Sequence, residues 1–353
     1  MEKLAILPIL LMLLILHELG HFVTARLNGI KVEEFAVGFP PRIASVVRGG
    51  IRYSLNLLPL GAYVRMLGEE DPTSPGSFAS KSKSQRAVVL AAGPAVNLIS
   101  AVLVFALAYG TGWPDPSAAI VRVQEVVAGT PAEQAGLQPG DVLRLANGQA
   151  LGSPAQFRDF TDAHLGQLIV LTVERQSQML DLPIVPRASW PQGQGPLGIR
   201  LSTTLVPVPH DPISSLGFGL RQTFDLVGLT LSAPVMAIRG DLPFEDVRPI
   251  GLPGMTQLAG EAAQTVVQTG SFFFVLLLTA TLSAGMGVFN FLPLPALDGG
   301  RLLFVAIEAV RGRRLAPERE ALIHLAGFVA LISIVAAVSL YELSSPLPLF
   351  GPR

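Results

Sequence analysis

The sequence predicts a polytopic α-helical membrane protein: about four transmembrane helices, a membrane-associated β-hairpin and one inserted α+β domain. Three observations carry this reading. Of 353 residues, 50% are hydrophobic and 14% charged, against about 25% charged in a soluble domain. Mean hydropathy is +0.51. Four apolar runs each approach or exceed the roughly 20 residues that cross a bilayer.

The first run covers residues 4–23 and holds His17, Glu18 and His21. Its length to Leu16 would suit a signal peptide, but no small-residue cleavage site follows, so a retained helix is expected. The second, 88–113, and the third, 271–297, carry no charge, and the fourth, 321–341, carries only His324. A weaker run at 213–238 contains Arg221 and Asp225 and reads as an amphipathic helix at the membrane interface.

Basic residues set the expected orientation. Nine Lys or Arg fall from Arg26 to Arg86, and Arg301, Arg311, Arg313, Arg314 and Arg319 lie between runs three and four. With four spans these segments share one side, the cytoplasm. Both termini and residues 114–270 then face outside. A net charge of -1 gives no sign of a nucleic-acid partner. The absence of cysteine excludes disulfides and thiolate metal sites.

Between the first two runs, "RIASVVRGGIRYSLNLLPLGAYVRMLG" places β-rich segments on either side of Gly49-Gly50, a hairpin signal. A polar loop follows it. Residues 118–201 alternate as a compact domain does. Strands are expected at "IVRVQEVV", "DVLRLANG" and "QLIVLTVER", helices at "PAEQAGL" and "SPAQFRDFTDAH" with Ser153 as N-cap, and a loop at "WPQGQGP".

The chemistry sits in His17-Glu18-Leu19-Gly20-His21. Residues four apart share a helix face, so both imidazoles can hold one Zn²⁺, and Glu18 beside them can take a proton from water. Three ionisable groups in an apolar span are costly without a function. A hydrolytic zinc needs a third protein ligand and an open position. His164 lies in the soluble domain and His210 just beyond it, whereas His324 of the fourth run stays open. Asp298 in "NFLPLPALDGGRL" is the better candidate. It closes the third run, with Gly299-Gly300 allowing close approach and Pro293 and Pro295 breaking the helix.

HELGH with "FNFLPLPALDGG", together with "QRAVVLAAGPAVNLISA" and "LLPLGAYVRM", resembles the site-2 protease family of intramembrane zinc metalloproteases. "VVAGTPAEQAGLQPGDVLRLANGQAL" resembles a PDZ core, which points to the RseP type. The resemblance implies His17, His21 and Asp298 as zinc ligands and Glu18 as catalytic base. It implies Asn290, Pro293, Pro295 and Gly61 as substrate-binding residues. For Asn290, a bond within the broken helix is the open alternative.

The resemblance also implies a bacterial inner-membrane protein with an extracytoplasmic PDZ domain and an active site toward the cytoplasm. The expected organisation is a first half of the membrane core at 1–113, a PDZ domain at 114–205, a linker with an interfacial helix at 206–270, and a second half at 271–353. The expected partners are a single-pass membrane-protein substrate (an anti-sigma factor or a signal-peptide remnant would suit), the lipid bilayer, and a peptide or protein ligand of the PDZ domain. The best-known RseP proteins carry two PDZ domains. Here the motif occurs once, so filtering by a PDZ pair is in doubt. "GPLGIRL" could contribute a strand or binding-loop element, and a PDZ domain acting only as a steric shield is equally compatible. The competing readings are a membrane-anchored PDZ scaffold without activity and a tethered peptidase acting on soluble peptides.

Overall fold

The computed structural model describes residues 6–69, 73–191, 194–242 and 250–345. Residues 192 and 193 of the expected "WPQGQGP" loop lie outside them. The described residues form two compact units, one drawn from within 1–109 and 212–353 and one from within 110–211.

Among the described residues of the first unit, four helices are long and apolar enough to cross a membrane: α1 (Ile6–Leu27), α2 (Lys83–Gly112), α7 (Phe273–Phe291) and α9 (Pro317–Ser344). Three further helices accompany them: α5 (Pro212–Arg239), α6 (Leu252–Thr269) and α8 (Asp298–Arg311). Helix α7 stops at Phe291, before Pro293 and Pro295, which deprive the following turn of donors. Asp298 therefore does not close the third run, as the apolar pattern suggests. It opens the separate helix α8.

The region expected as a linker holds two helices. Leu226 of α5 packs on Ala101, Phe105, Ala280 and Ala284, and a Cβ on Gly219 would meet the Val102 carbonyl. The α5 helix thus runs alongside α2 and α7, where its Arg221–Asp225 pair stays exposed. The N-terminus of α6 is capped from α9: Gly251 and Gly254 donate backbone N–H bonds of 2.8 and 2.9 Å to the buried Glu342 carboxylate. The positive end of a helix dipole favours such an anion.

Between α1 and α2 lie β1 (Val32–Arg48) and β2 (Ile51–Met66). The tight turn is where Gly49-Gly50 predicts it, since Arg48 faces Ile51 across the pair. The sheet is larger than a hairpin, because both strands double back. Residues 34–37 face 52–55 on one side and 62–65 on the other, while 44–48 face 51–55. Four rungs result, in the order 42–48, 51–56, 32–37, 62–66; the two outer pairs run antiparallel and the middle pair, 51–56 with 32–37, runs parallel.

Glu34 on the inner rung 32–37 pins all four. Its buried carboxylate accepts from Ser54 Oγ at 2.6 Å and Arg42 Nη2 at 2.7 Å, and pairs with Arg65 at 3.2 Å. Burial disfavours the charge, but Ser54, Arg42 and Arg65 more than offset it and hold the carboxyl below its ordinary value. Phe39, Ile43, Val46, Val47, Leu55, Leu57 and Leu58 point outward from this sheet.

The second unit is a six-stranded antiparallel sheet of β3 (Trp113–Val126), β4 (Val142–Ala146), β5 (Gln149–Ala150), β6 (Ile169–Arg175), β7 (Gln178–Ile184) and β8 (Ile199–Val208). The strand order is β7-β6-β4-β3-β8, with β5 on β4, so β8 is an edge. "GPLGIRL" leads into β8. Strand β7 escapes a reading of the sequence because only Ile184 of its residues is buried.

Two helices complete the unit, α3 (Pro131–Gln134) and α4 (Pro154–Ala163). Ser153 caps α4 by accepting the Gln156 N–H. Val121, Leu143, Ile169, Leu171, Val173 and Phe157 form the apolar core. Asp141 takes two 2.7 Å bonds from Arg175, so β6 is tied to the turn before β4. Burial works against the Asp141 charge, but Arg175 and the Gln138 N–H lower the carboxyl pKa on balance.

A candidate metal centre

Helical spacing puts His17 and His21 on the same face of α1, and both are buried. Their Nε2 atoms lie 3.2 Å apart. Asp298 Oδ2 lies 3.1 Å from the first and 3.2 Å from the second. The first turn of α8 delivers this carboxylate because the chain folds back sharply. A Cβ on Gly299 would overlap the Phe291 and Leu292 carbonyls, and one on Gly300 the Leu294 carbonyl. Ala296, between them and the prolines, adopts a left-handed φ of 77°. Its N–H donates to His324 Nδ1 at 2.9 Å. His324 thus braces the loop and is not in the triangle. His164 bonds the Phe160 carbonyl in the second unit.

The triangle has the size of a zinc site. Bonds of about 2.0–2.2 Å in tetrahedral geometry separate neighbouring ligand atoms by about 3.3–3.6 Å. The observed edges of 3.1–3.2 Å lie just below the lower end of that span. Two imidazole nitrogens and a carboxylate oxygen form a donor set zinc accepts in hydrolytic centres. Among the described residues, this is the group of His, Asp or Glu side chains close enough to share an ion.

Helix α2 supplies the surroundings through one face. Val89, Gly93 and Asn97 are each four residues apart. The Val89 carbonyl accepts His21 Nδ1–H at 2.8 Å, which leaves Nε2 for a metal. A Cβ on Gly93 would overlap both imidazole Nε2 atoms. The Asn97 amide faces His17 Nδ1 at 3.2 Å. None of these three stands out by residue type, and the signal that could have found them is a Gly and an Asn four apart in an uncharged span.

Glu18 points toward the sheet. Its Oε2 accepts the Val64 N–H at 3.0 Å, so the outer edge of rung 62–66 holds the carboxylate beside the triangle. Phe22 stacks edge-on against Phe35 and Tyr53, fixing α1 to the sheet. Helix α8 is fastened in turn. Arg86 pairs with Glu308 at 2.7 Å, Arg301 with Glu69 at 2.8 Å, and Arg314 bonds the Ala79 carbonyl.

The remaining sequence candidates lie near the centre, outside the triangle. Asn290 Nδ2 donates to the Met286 carbonyl one turn back in α7, which is the alternative the sequence left open. Pro293 is exposed, and Pro295 packs against Gly327 of α9. Gly61 sits beneath the Phe39 ring, with no room for a Cβ.

A buried two-His, one-Asp centre with an adjacent Glu, framed by membrane-length helices, defines a membrane-embedded metallohydrolase. The model of peptidase family M50 matches residues 5–334, and the chain belongs to that family. It is similar to zinc metalloprotease RasP of Oceanobacillus iheyensis, at 28% identity over 92% of this chain and 94% of the relative. A Clostridium perfringens protein, provisionally named a zinc metalloprotease, is 30% identical over 95% of this chain and 96% of its own length. A similarly named Rhizobium meliloti protein is 29% identical over 93% of each chain.

Proposed function

We propose that the chain is an intramembrane zinc metalloendopeptidase that hydrolyses a peptide bond in or near a transmembrane segment of a single-pass membrane protein. The observation that carries this is the ligand triangle of His17, His21 and Asp298, with edges of 3.1–3.2 Å, built on an apolar helix. Those three residues would hold the metal. Zinc in such a centre supplies Lewis acidity toward the scissile carbonyl and eases ionisation of water near neutral pH.

The protein's own groups do the rest. Glu18, oriented by the Val64 N–H, takes a proton from the attacking water and returns it to the departing amine. Helical carbonyls are hydrogen-bonded, so the substrate must first unwind. The outer edge of rung 62–66 can pair with an extended strand beside Glu18, which supports β-addition as the mode of binding. Gly61, at the start of that rung, and the irregular segment of Pro293 and Pro295 would flank this strand. Asn290, already bonded within its helix, would serve by shaping the break.

The outward apolar residues of the sheet support its contact with lipid. The loop charges support a metal centre toward the cytoplasm, and membership of the family supports a multi-pass protein of a bacterial inner membrane. We read the second unit as a single extracytoplasmic PDZ domain. Its open edge β8 and helix α4 line a groove through Leu197, Ile199, Leu201, Phe157 and Thr161, which suits a peptide or protein ligand. An anti-sigma factor or a signal-peptide remnant fits this substrate class. A scaffold without activity would have no use for the buried triangle.

The test is Glu18→Gln in full-length protein, with zinc content and cleavage of a reporter membrane substrate measured together. Zinc should remain and the rate should fall by about 10²–10⁴. Cleavage at the wild-type rate would remove Glu18 from the base role.

A further inference from the structure

The two histidines of the triangle differ in how their second nitrogens are held. His21 Nδ1 faces a backbone carbonyl, a fixed acceptor, at 2.8 Å. His17 Nδ1 faces a side-chain amide, with Asn97 Nδ2 at 3.2 Å. Asn97 is fully buried, and its Oδ1 has no hydrogen-bond partner among the described residues. Its backbone carbonyl is engaged separately, accepting Ser283 Oγ at 2.7 Å. That main-chain contact ties α2 to α7 at this position, and a substitution of the Asn97 side chain leaves it intact.

The chemistry of the triangle decides which amide atom belongs on His17. The atom facing His21 and Asp298 is Nε2. A neutral imidazole that gives Nε2 to a metal carries its proton on Nδ1. The partner of that N–H must be an acceptor, and the amide nitrogen is not one. A half-turn of the amide brings the buried, unpartnered Oδ1 to the same position.

We infer that Asn97 is a positioning residue for the metal centre: in the zinc-loaded protein its Oδ1 accepts the His17 Nδ1–H and holds the ring with Nε2 toward the metal. The inference rests on the zinc reading above and deepens it. Val89, Gly93 and Asn97 then act as one face of α2, giving an acceptor, a clearance and an acceptor to two rings on α1.

The experiment measures zinc affinity of the full-length protein in detergent by competition with a chelator. Asn97→Leu keeps the size and removes the acceptor, and zinc affinity should fall about 10–100-fold. Asn97→Asp restores an acceptor and should bring affinity back to the wild-type range or above it. Wild-type affinity for Asn97→Leu, or equal weakness of the Leu and Asp variants, overturns the inference, since a packing role alone would give the second result. A further readout needs no variant. Nitrogen-15 NMR of the zinc-loaded, histidine-labelled wild type should show His17 protonated at Nδ1, and a proton on Nε2 overturns the inference. His17→Ala is the control: if it retains stoichiometric zinc, the metal assignment itself fails.

Discussion

The two units solve opposite problems with polar side chains. In the unit 110–211 the interior is apolar, and the buried Asp141, paired with the partly exposed Arg175, ties a turn to a strand at its margin. In the other unit two histidines, an aspartate and an asparagine gather where α1, α2 and α8 meet. His17, His21 and Asp298 lie within 3.2 Å of one another, and no fold needs that arrangement for packing. Here the buried group that joins two elements is structural, and the metal-ligating groups that converge on one point are chemical. Substitutions should sort by that distinction.

Asp298→Ala should have the largest effect. It opens the triangle, so stoichiometric zinc and cleavage should both fall to background, read by metal analysis and a reporter-substrate assay. Gly93→Ala comes next, because its Cβ would overlap both ligand nitrogens. A shift of about 1 Å in a catalytic arrangement can cost on the order of a hundredfold in rate. Chelator competition should show weakened zinc in the same variant. Unchanged zinc affinity would mean that α2 does not frame the centre.

Glu34→Gln lies between the two classes, since Glu34 joins four rungs and the outermost rung holds Glu18. Breaking a buried pair costs about 3–5 kcal/mol, and the half-exposed Arg42 and Arg65 put this case at or below the lower end. Cleavage should fall while zinc stays bound. The sign of the pH effect follows from the lowered carboxyl pKa. The stabilisation from Glu34 is full above its unfolded value, near 4.5, and is lost as pH falls through the lower folded value. Acid melts of Glu34→Gln and wild type should therefore converge at low pH.

Asp141→Asn should have the smallest functional effect. It should destabilise the unit 110–211 by about 1.5–3 kcal/mol through the lost charged hydrogen bonds, seen by thermal melting, with zinc content unchanged. This contribution too is present above the ordinary aspartate range and lost as pH falls.

How much of this was legible beforehand varies with distance along the chain. HELGH was readable because helical spacing is local: four residues fix one face. Asp298 was reachable by chemistry, as a carboxylate between two prolines and two glycines, although the pattern put it at the end of a span. The frame on α2 was not legible. Val89 acts through its carbonyl and Gly93 through a missing Cβ, and neither leaves a mark in residue type. The inner rung 32–37 is not announced by the sequence, because Gly38, Pro40 and Pro41, residues of turns rather than strands, interrupt the strand that Glu34 anchors. In the second unit the alternating buried strands were legible and the mostly exposed β7 was not.

The central claim is that this centre cuts within a membrane segment. The most direct measurement maps the bond cleaved in a single-span reporter substrate, by mass spectrometry of both fragments from wild-type enzyme. The cut should fall inside or at the border of the apolar segment and be absent with Glu18→Gln. A cut confined to the soluble flanks, or one that persists in Glu18→Gln, would contradict it.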